Sequence, residues 1–406
     1  MKFIHSADWQ LGARFTQFGA KAELLRKARL QTLETALKKG AESDLDAFLI
    51  AGDLFQDSQV DDPLVDFTLS LFAQFPKLRI FILPGNHDPA TGPGSVWERH
   101  RFATVPRNVV LIKEPIVHEL ADGFLIAVPL KQKVSTRDPS LRIAELARDL
   151  PSDRIRVGIT HGAIAIPGKH QPNDFPIALD AASRANVDYL ALGHWHNWQT
   201  YDNDRLVMPG TPEPDAFDHE NSGAIALVEI SGRGATPKNE RLPVATLKWK
   251  SLVFDFVDAE AAKQSLQQRL DEILPDRAKT VLRVTLRGSV APRTLHEVTG
   301  WLQPQLEPFL AAQMIDQTAV AFTPGELETL QREHPLLAQT IADLVQIEHL
   351  ATNAPLPPEI ATSDVLSLAT AQELTSSAKI ELSQLDADFF KFTHQLLSQK
   401  LQETNR

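Results

Sequence analysis

Five short apolar segments in the first half of the sequence are each followed by aspartate, asparagine or histidine. The segments are Lys2–His5, Ala47–Ala51, Arg79–Leu83, Arg156–Thr160 and Asp188–Leu192. The polar residues that follow them are Asp8 with Gln10, Asp53, Asn86 with His87 and Asp88, His161, and His194 with His196. Largely apolar segments of this length are typical of strands that are buried on both faces of a sheet. Loops at the carboxyl ends of such strands form the ligand crevice of α/β sheets, so the pattern predicts one shared pocket.

Helical segments lie between some of these predicted strands. Helices are predicted over residues 21–39, 63–75 and 139–150, and further strands over 124–128 and 224–230. Alternating helices and buried strands are typical of an α/β layered domain, to which we assign residues 1–245. The length of 406 residues, with 43% hydrophobic and 23% charged residues, agrees with a globular protein of two or three domains.

A second, smaller domain is predicted from residue 246 to residue 324. Its pattern is strand, helix, strand, helix, strand, over residues 250–257, 258–274, 280–286, 292–312 and 315–322. The first of these helices is expected to begin at an aspartate cap, Asp258, and to end before Pro275. A βαβαβ unit of this kind forms a small α+β domain.

The tail, residues 325–406, has no strand pattern and is predicted to be helical, with a proline-rich break at 354–358. From residue 336 onward it carries nine acidic and four basic side chains. Many of its apolar residues are three or four positions apart, a spacing that places them on one side of a helix. Two interpretations remain open: the tail packs as a helical pair on its own protein, or it is an arm that docks on a partner.

Charge and composition exclude several classes of protein. The net charge of −11 has the wrong sign for a protein that coats nucleic acid through its overall field, but it leaves an enzyme acting on phosphates open. The absence of cysteine excludes disulfides and thiolate metal ligands. There is no apolar run of about 18 residues, and an aspartate occurs early in the chain, so we expect no membrane segment, no signal peptide and a cytoplasmic location.

The residue types at the predicted strand ends indicate a metal site. Aspartate, asparagine and histidine together suit a divalent ion such as manganese, with iron or zinc as alternatives. One carboxylate can bridge two ions, and a two-metal site clamps the attacking and leaving oxygens of a phosphoryl displacement. A His-x-His pair such as His194 and His196 can give one imidazole to each ion. Each motif alone is a weak signal, but their order along the chain, each after a strand, is far more specific.

This order of motifs resembles the calcineurin-like metallophosphoesterases, whose fold is a double-sheet sandwich flanked by helices. Within that family, residues 1–12 (MKFIHSADWQLG) and 51–55 (AGDLF) are similar to SbcD-type nucleases, in particular to their YhaO-like branch. The motifs cover residues 1–210, and residues 246–324 resemble the capping domain of those nucleases by arrangement alone. The resemblance implies a metal-dependent DNA phosphodiesterase in DNA repair, an exonuclease with endonuclease activity left open. It also implies a homodimer and an SbcC-type SMC-like ATPase as partner.

The resemblance assigns a role to each strand-end residue. Two divalent ions, with manganese expected, would hold a bridging hydroxide as the nucleophile. The expected ligands of the first ion are Asp8, Gln10, Asp53 and His196, and those of the second are Asp53, Asn86, His161 and His194. His87 corresponds to the catalytic histidine, which stabilises the transition state or protonates the leaving oxygen. Asp88 either orients His87 or a neighbouring backbone group, or is a turn-forming residue before Pro89.

Two residues depart from the family pattern. Gln10 stands where a histidine is usual, and Gln56 stands where some members carry a histidine that positions the substrate. An amide oxygen is a weaker ligand than imidazole for a transition metal, so we expect the first ion to bind more weakly. A phosphodiesterase for small molecules and a catalytically weakened scaffold that binds DNA or the ATPase therefore stay open as alternatives. The remaining histidines, among them His219, are expected to be structural or surface residues.

Overall fold

The structure, a computed structural model, describes residues 1–320, 332 and 335–352. These residues fall into two units. The first comprises Met1–Lys250 and Lys279–Val281, and the second comprises Ser251–Ala278 and the described residues from Leu282 onward.

Six strands form the first sheet of the first unit, in the spatial order β12–β11–β1–β2–β3–β4. Their bounds are β1 Lys2–Ser6, β2 Ala47–Ala51, β3 Ile80–Leu83, β4 Val109–Leu111, β11 Ala224–Glu229 and β12 Lys238–Pro243. Strands β1 to β4 pair in parallel, so their carboxyl ends share one edge of the sheet.

The second sheet has the order β5–β6–β7–β8–β10–β9. Its strands are β5 Ile116–Leu120, β6 Gly123–Ala127, β7 Ile155–His161, β8 Tyr189–Gly193, β9 Gln199–Tyr201 and β10 Leu206–Met208. Strands β6, β7, β8 and β10 are parallel neighbours. The two sheets therefore each deliver several strand ends to one edge.

The two sheets pack face to face, and helices cover their outer faces. The helices of this unit are α1 Ala22–Ala41, α2 Asp62–Ala73, α3 Ser140–Ala147 and α4 Ala181–Arg184. Alternation along β1 sends Phe3 into the core between the sheets, where it contacts Tyr189, and Ile4 into the core shared with α1 and α2. Asp61 caps α2 by accepting a hydrogen bond from the Leu64 amide at 3.0 Å.

The second unit has a three-stranded sheet in the order β13–β14–β15. The elements that have most of their residues in this unit are β13 Lys248–Asp255, α5 Ala259–Ile273, β14 Thr280–Val290, α6 Pro292–Leu306 and β15 Ala311–Val320, followed by α7 Pro335–Thr352. Asp258 caps α5 by accepting a hydrogen bond from the Glu260 amide at 2.9 Å. Leu266 of α5 and Leu302 of α6 are fully buried and belong to the core of this unit.

The fold class predicted from the sequence is confirmed: the first unit is a two-sheet α/β sandwich flanked by helices. The sequence pattern missed five strands: β4, β9 and β10 have only three residues each, and β5 and β12 are largely exposed or half-buried and have no continuous apolar run. Helix α7 lies in the part of the tail before the proline-rich break, which is predicted to be helical. Residues 353–406 lie outside the described residues, and the docking arm stays a prediction. In the parts of the chain that the structure describes, no helix is long and apolar enough to cross a membrane.

Candidate metal centre

Loops that follow β1, β2, β3, β7 and β8 meet at one edge of the sandwich. The first two run side by side, because the Gln10 amide donates to the Asp53 carbonyl at 3.0 Å and the Asp8 amide donates to the Gly52 carbonyl at 3.2 Å. Asp8, Gln10 and Asp53 all have left-handed backbone conformations, with φ of 54°, 45° and 53°. Residues other than glycine avoid this region, and such strain is found at functional sites where the surrounding structure enforces it.

Two carboxylates and one imidazole form the buried core of the centre. Ligand atoms of Asp8, Asp53 and His161 lie within 4.8 Å of one another, and all three side chains are almost completely buried. The His194 amide donates to both carboxylate oxygens of Asp8 at 3.0 Å. The His87 amide donates to Oδ1 of Asp53 at 2.9 Å. The backbone therefore fixes both carboxylates in place.

Asn86 joins two histidines to this core. Its Oδ1 lies 2.9 Å from His161 Nε2 and 3.1 Å from His194 Nδ1. The third predicted histidine, His196, interacts electrostatically with Asp8. The structure therefore brings Asp8 and His194, which are 186 positions apart in the sequence, into hydrogen-bond contact.

In each of the three histidines, one ring nitrogen also lies close to a hydrogen-bond acceptor outside the core of the centre. His161 Nδ1 donates to the Ala51 carbonyl at 2.8 Å, and His194 Nε2 lies 2.9 Å from Asp174 Oδ2. His196 Nδ1 lies 3.2 Å from Asp215 Oδ1. Metal-binding histidines usually make such a contact, because it fixes the ring and raises its basicity.

Electrostatics make this centre a strong site for positive charge. Burial lowers the pKa of His161, but the carboxylates of Asp53 and Asp8 outweigh it and raise that pKa to about 9. Burial likewise lowers the pKa of His196, while Asp215 and Asp8 raise it to about 8. Burial raises the pKa of Asp53, yet the neighbouring imidazoles bring it below its ordinary value. In the metal-free protein, protonated imidazoles therefore supply the charge that a divalent ion would otherwise supply.

The donors present fit divalent metal ions. Gln10 Nε2 donates to Asp53 Oδ2 at 3.0 Å, whereas Gln10 Oε1 is buried and has no hydrogen-bond partner among the described residues. A buried oxygen of this kind is costly unless a cation or water satisfies it. A Cβ atom at Gly52 would lie 2.1 Å from His161 Nδ1, and one at Gly85 would lie 2.2 Å from Asp53 Oδ1. Glycine at these two positions lets the loops approach the donors closely.

Metal affinity is expected to rise with pH, because an ion must displace the protons held by the imidazoles. At neutral pH, His161 with a pKa of about 9 and His196 with a pKa of about 8 are protonated. For each proton that binding releases, metal affinity should increase by about a further tenfold per pH unit. This increase ends once the pH exceeds the pKa of that imidazole. Calorimetric metal titrations in buffers of different ionisation enthalpy count the released protons. Affinity that does not change between about pH 6 and pH 9 would show that neither imidazole binds the metal.

His87 and Asp88 lie beside the carboxylates. His87 Nδ1 donates to the Gln56 carbonyl at 2.8 Å, and its Nε2 has no hydrogen-bond partner in the described part of the chain. Asp88 is fully buried and accepts hydrogen bonds from the Phe55 amide at 3.0 Å and the Gly85 amide at 2.8 Å. Asp88 thus holds the second and third loops together through their backbone, and its carboxylate makes no hydrogen bond to the His87 ring among those of the described residues.

The sequence pattern missed three side chains that contact the centre. Asp174 and Asp215 are the carboxylates that contact His194 and His196, and Arg29 on α1 lies 3.4 Å from Asp215 Oδ2. Asp215 follows β10, and a longer apolar run there would have marked it as another strand-end residue. Asp174 lies in an irregular segment with no periodic signal.

Comparisons with known proteins agree with this geometry. Residues 1–198 match the calcineurin-like phosphoesterase family. The chain is also similar to the SbcD component of the nuclease SbcCD of Rhodobacter capsulatus, with 25% identity over 369 residues that cover 76% of this chain and 84% of that protein. Taken with the two-sheet fold and the residues gathered around Asp53, these matches show that residues 1–198 form a calcineurin-like phosphoesterase domain, the domain of metal-dependent enzymes that hydrolyse phosphodiester bonds, and that the chain resembles the SbcD type.

Proposed function

We propose that this protein is a DNA exonuclease that uses two divalent ions and acts in DNA repair in the cytoplasm. Cleavage of hairpin DNA tests whether it is also an endonuclease. The observation that carries the proposal is the cluster of Asp8, Asn86, His161 and His194 around the buried Asp53 carboxylate. The similarity to a nuclease component covers more of the chain than the phosphoesterase domain alone, which supports DNA rather than a small diester as the substrate.

Two manganese ions are the proposed cofactors. We assign Asp8, Gln10, Asp53 and His196 to the first ion, and Asp53, Asn86, His161 and His194 to the second. The imidazole nitrogens suit manganese, whereas magnesium prefers oxygen ligands and retains its waters. When bound, the ions would acidify the attacking water and neutralise charge on the phosphate.

His87 is the proposed catalytic residue. The hydrogen bond from Nδ1 to the Gln56 carbonyl fixes the ring, and Nε2 is left for the substrate. Nε2–H can donate to a phosphate oxygen or pass its proton to the leaving oxygen. Asp88 is proposed to act through the backbone, because its carboxylate holds the Gly85 amide one residue before Asn86.

Metal content and cleavage of matched substrates test this proposal. Full-length protein loaded with manganese would be assayed on linear duplex, hairpin DNA and a small model diester. Cleavage of DNA from its ends supports the proposal. Cleavage of the model diester without cleavage of DNA would instead indicate a small-molecule phosphodiesterase. Retained metal and DNA binding without cleavage of any substrate would indicate a scaffold.

An SbcC-type SMC-like ATPase is the proposed partner, and the chain itself is proposed to form a homodimer. Deletion of residues 353–406, beyond the end of α7, is expected to abolish co-purification with such an ATPase while cleavage of the model diester persists. Sedimentation of the full-length chain measures the dimer. A truncated chain that keeps the ATPase, or loses model-diester cleavage, would contradict the tail as a docking arm.

Gln10→His is expected to tighten binding of the first ion, because imidazole is a better donor than an amide for a transition metal. The manganese concentration for half-maximal activity should fall by about tenfold, a change of roughly 1.4 kcal/mol in binding free energy. Gln10→Asn, which keeps an amide, is the matched control. An unchanged metal titration in Gln10→His would show that residue 10 does not contact the ion.

A further inference from the structure

A second group of potential metal ligands lies beside the centre. Ligand atoms of His196, Asp215 and His219 all lie within 4.8 Å of one another, and we refer to these three residues as the outer triad. His196 follows β8, whereas Asp215 and His219 belong to the segment between β10 and β11. No strand-end motif of the sequence includes Asp215 or His219, and the phosphoesterase match ends at residue 198.

The outer triad already has nearly the spacing that a metal ion requires. His219 Nδ1 and His196 Nδ1 lie 2.6 Å and 3.2 Å from the same oxygen, Asp215 Oδ1. Donors at about 2.1 Å from a tetrahedral zinc ion are roughly 3.4 Å apart. An ion could therefore replace the hydrogens between these atoms with donor shifts of less than about one ångström.

Arg29 orients the carboxylate for this role. Its Nη2 lies 3.4 Å from Asp215 Oδ2, the oxygen that the two histidines do not contact. Arg29 is only 2% exposed, and it also donates to the carbonyls of Trp9 and Glu213 at 3.0 Å. The guanidinium thus fixes one oxygen of Asp215 and leaves Oδ1 to the histidines. Carboxylates that bind metals are commonly held by such an outer hydrogen bond.

The outer triad is accessible from solvent. His196 and His219 line an open cavity of about 340 Å³, together with His194, Asn197 and Asp218. The rings of His196 and His219 meet edge to face with centroids 4.7 Å apart. An ion on the triad could therefore enter from this cavity and keep a water in its remaining position.

We propose that the outer triad is a binding site for a divalent transition metal, with zinc as its preferred ion. Two imidazoles and one carboxylate form the ligand set of open zinc sites, whereas manganese favours more oxygen donors. The proposal does not depend on whether the centre at Asp53 cleaves DNA, because it concerns binding alone.

Sharing of His196 couples the outer triad to the centre. A neutral imidazole has one lone pair for a metal, because its other nitrogen carries a proton. If Nδ1 binds an ion on the outer triad, Nε2 is protonated and the first ion of the centre loses this ligand. Zinc on the outer triad is therefore expected to weaken manganese binding at the centre.

Metal binding by full-length protein in which the centre is disabled tests the site. Asp53→Ala, freed of metal, would be titrated with zinc, and with cobalt so that its absorption bands report nitrogen ligands. One equivalent is expected to bind. His219→Ala in the same background should lose that equivalent, whereas His100→Ala, which removes an exposed histidine outside the triad, should keep it.

Two results would overturn the proposal. They are the absence of a bound equivalent in Asp53→Ala, and binding that survives His219→Ala unchanged. The first result would mean that Asp215 only orients the two rings by hydrogen bonds. If Asp53→Ala does not fold, the zinc stoichiometry of the wild type compared with His219→Ala and His219→Gln gives the same answer. DNA cleavage is not used as a readout, so failure of this site is distinguishable from failure of the proposed function.

Discussion

Asp53→Ala is expected to release both of the proposed manganese ions and to reduce diester hydrolysis below detection. Its buried carboxylate receives hydrogen bonds from the His87 amide and from Gln10 Nε2, and it lies 3.5 Å from His161 Nε2. Loss of an outer partner of a metal ligand costs about 10- to 100-fold in affinity, and loss of a carboxylate shared by both ions should cost more. Metal analysis after gel filtration measures the bound manganese.

The matched control for this change is Asp46→Ala. Asp46 accepts a hydrogen bond from the Lys2 amide at 2.8 Å, at the opposite end of β1 from Asp8. The Asp46→Ala protein should keep both manganese ions and full activity. One equivalent of zinc that remains in Asp53→Ala and is lost on adding His219→Ala belongs to the outer triad. Two manganese ions still bound to a folded Asp53→Ala protein would refute the assignment of Asp53 as the bridge.

His87→Ala is expected to lower kcat by about 10²- to 10⁴-fold, the range for loss of a positioned general acid or base. The number of bound manganese ions should stay the same, because the contact of His87 with Asp53 uses its backbone amide, which alanine keeps. Turnover of the model diester and metal content, measured on the same preparation, separate the two effects.

A phosphodiester with a good leaving group provides the control for His87. Such a substrate needs no proton on the leaving oxygen, so the deficit of His87→Ala should shrink if His87 is the acid. An equal deficit on both substrates would assign the ring to stabilising charge on the phosphate instead. If His87→Ala lost metal as completely as Asp53→Ala, our division of roles would be wrong.

The residues of the centre were predictable because strand ends carry a local signal. Asp8, Asp53, Asn86, His161 and His194 each come directly after an apolar run, and parallel strands bring their carboxyl ends to one edge. The same reasoning found the two-sheet domain and the helix capped by Asp258. These features depend on residues that are close together in the chain.

The side chains that contact the predicted metal ligands from outside the centre were not predictable from a local sequence pattern. The sequence places Asp174 and His219 in segments without periodicity, and His219 was expected to be structural or at the surface. In the structure, His219 contacts Asp215, and Asp174 contacts His194. Their positions follow from the course of irregular loops, which the hydrophobic pattern does not encode.

By itself, the sequence determined which side chains could bind a cation, because aspartate, asparagine and histidine have that chemistry wherever they lie. Only the tertiary structure decided their partners. Strand β8 lies beside β7 and brings His194 to Asp8 across 186 residues, and α1 brings Arg29 to Asp215 across another 186. These two contacts depend on the order of the strands in the sheet and on the burial of charged side chains between packed layers. Neither is a property of any single segment of the chain, so the outer triad could be found only in the folded protein.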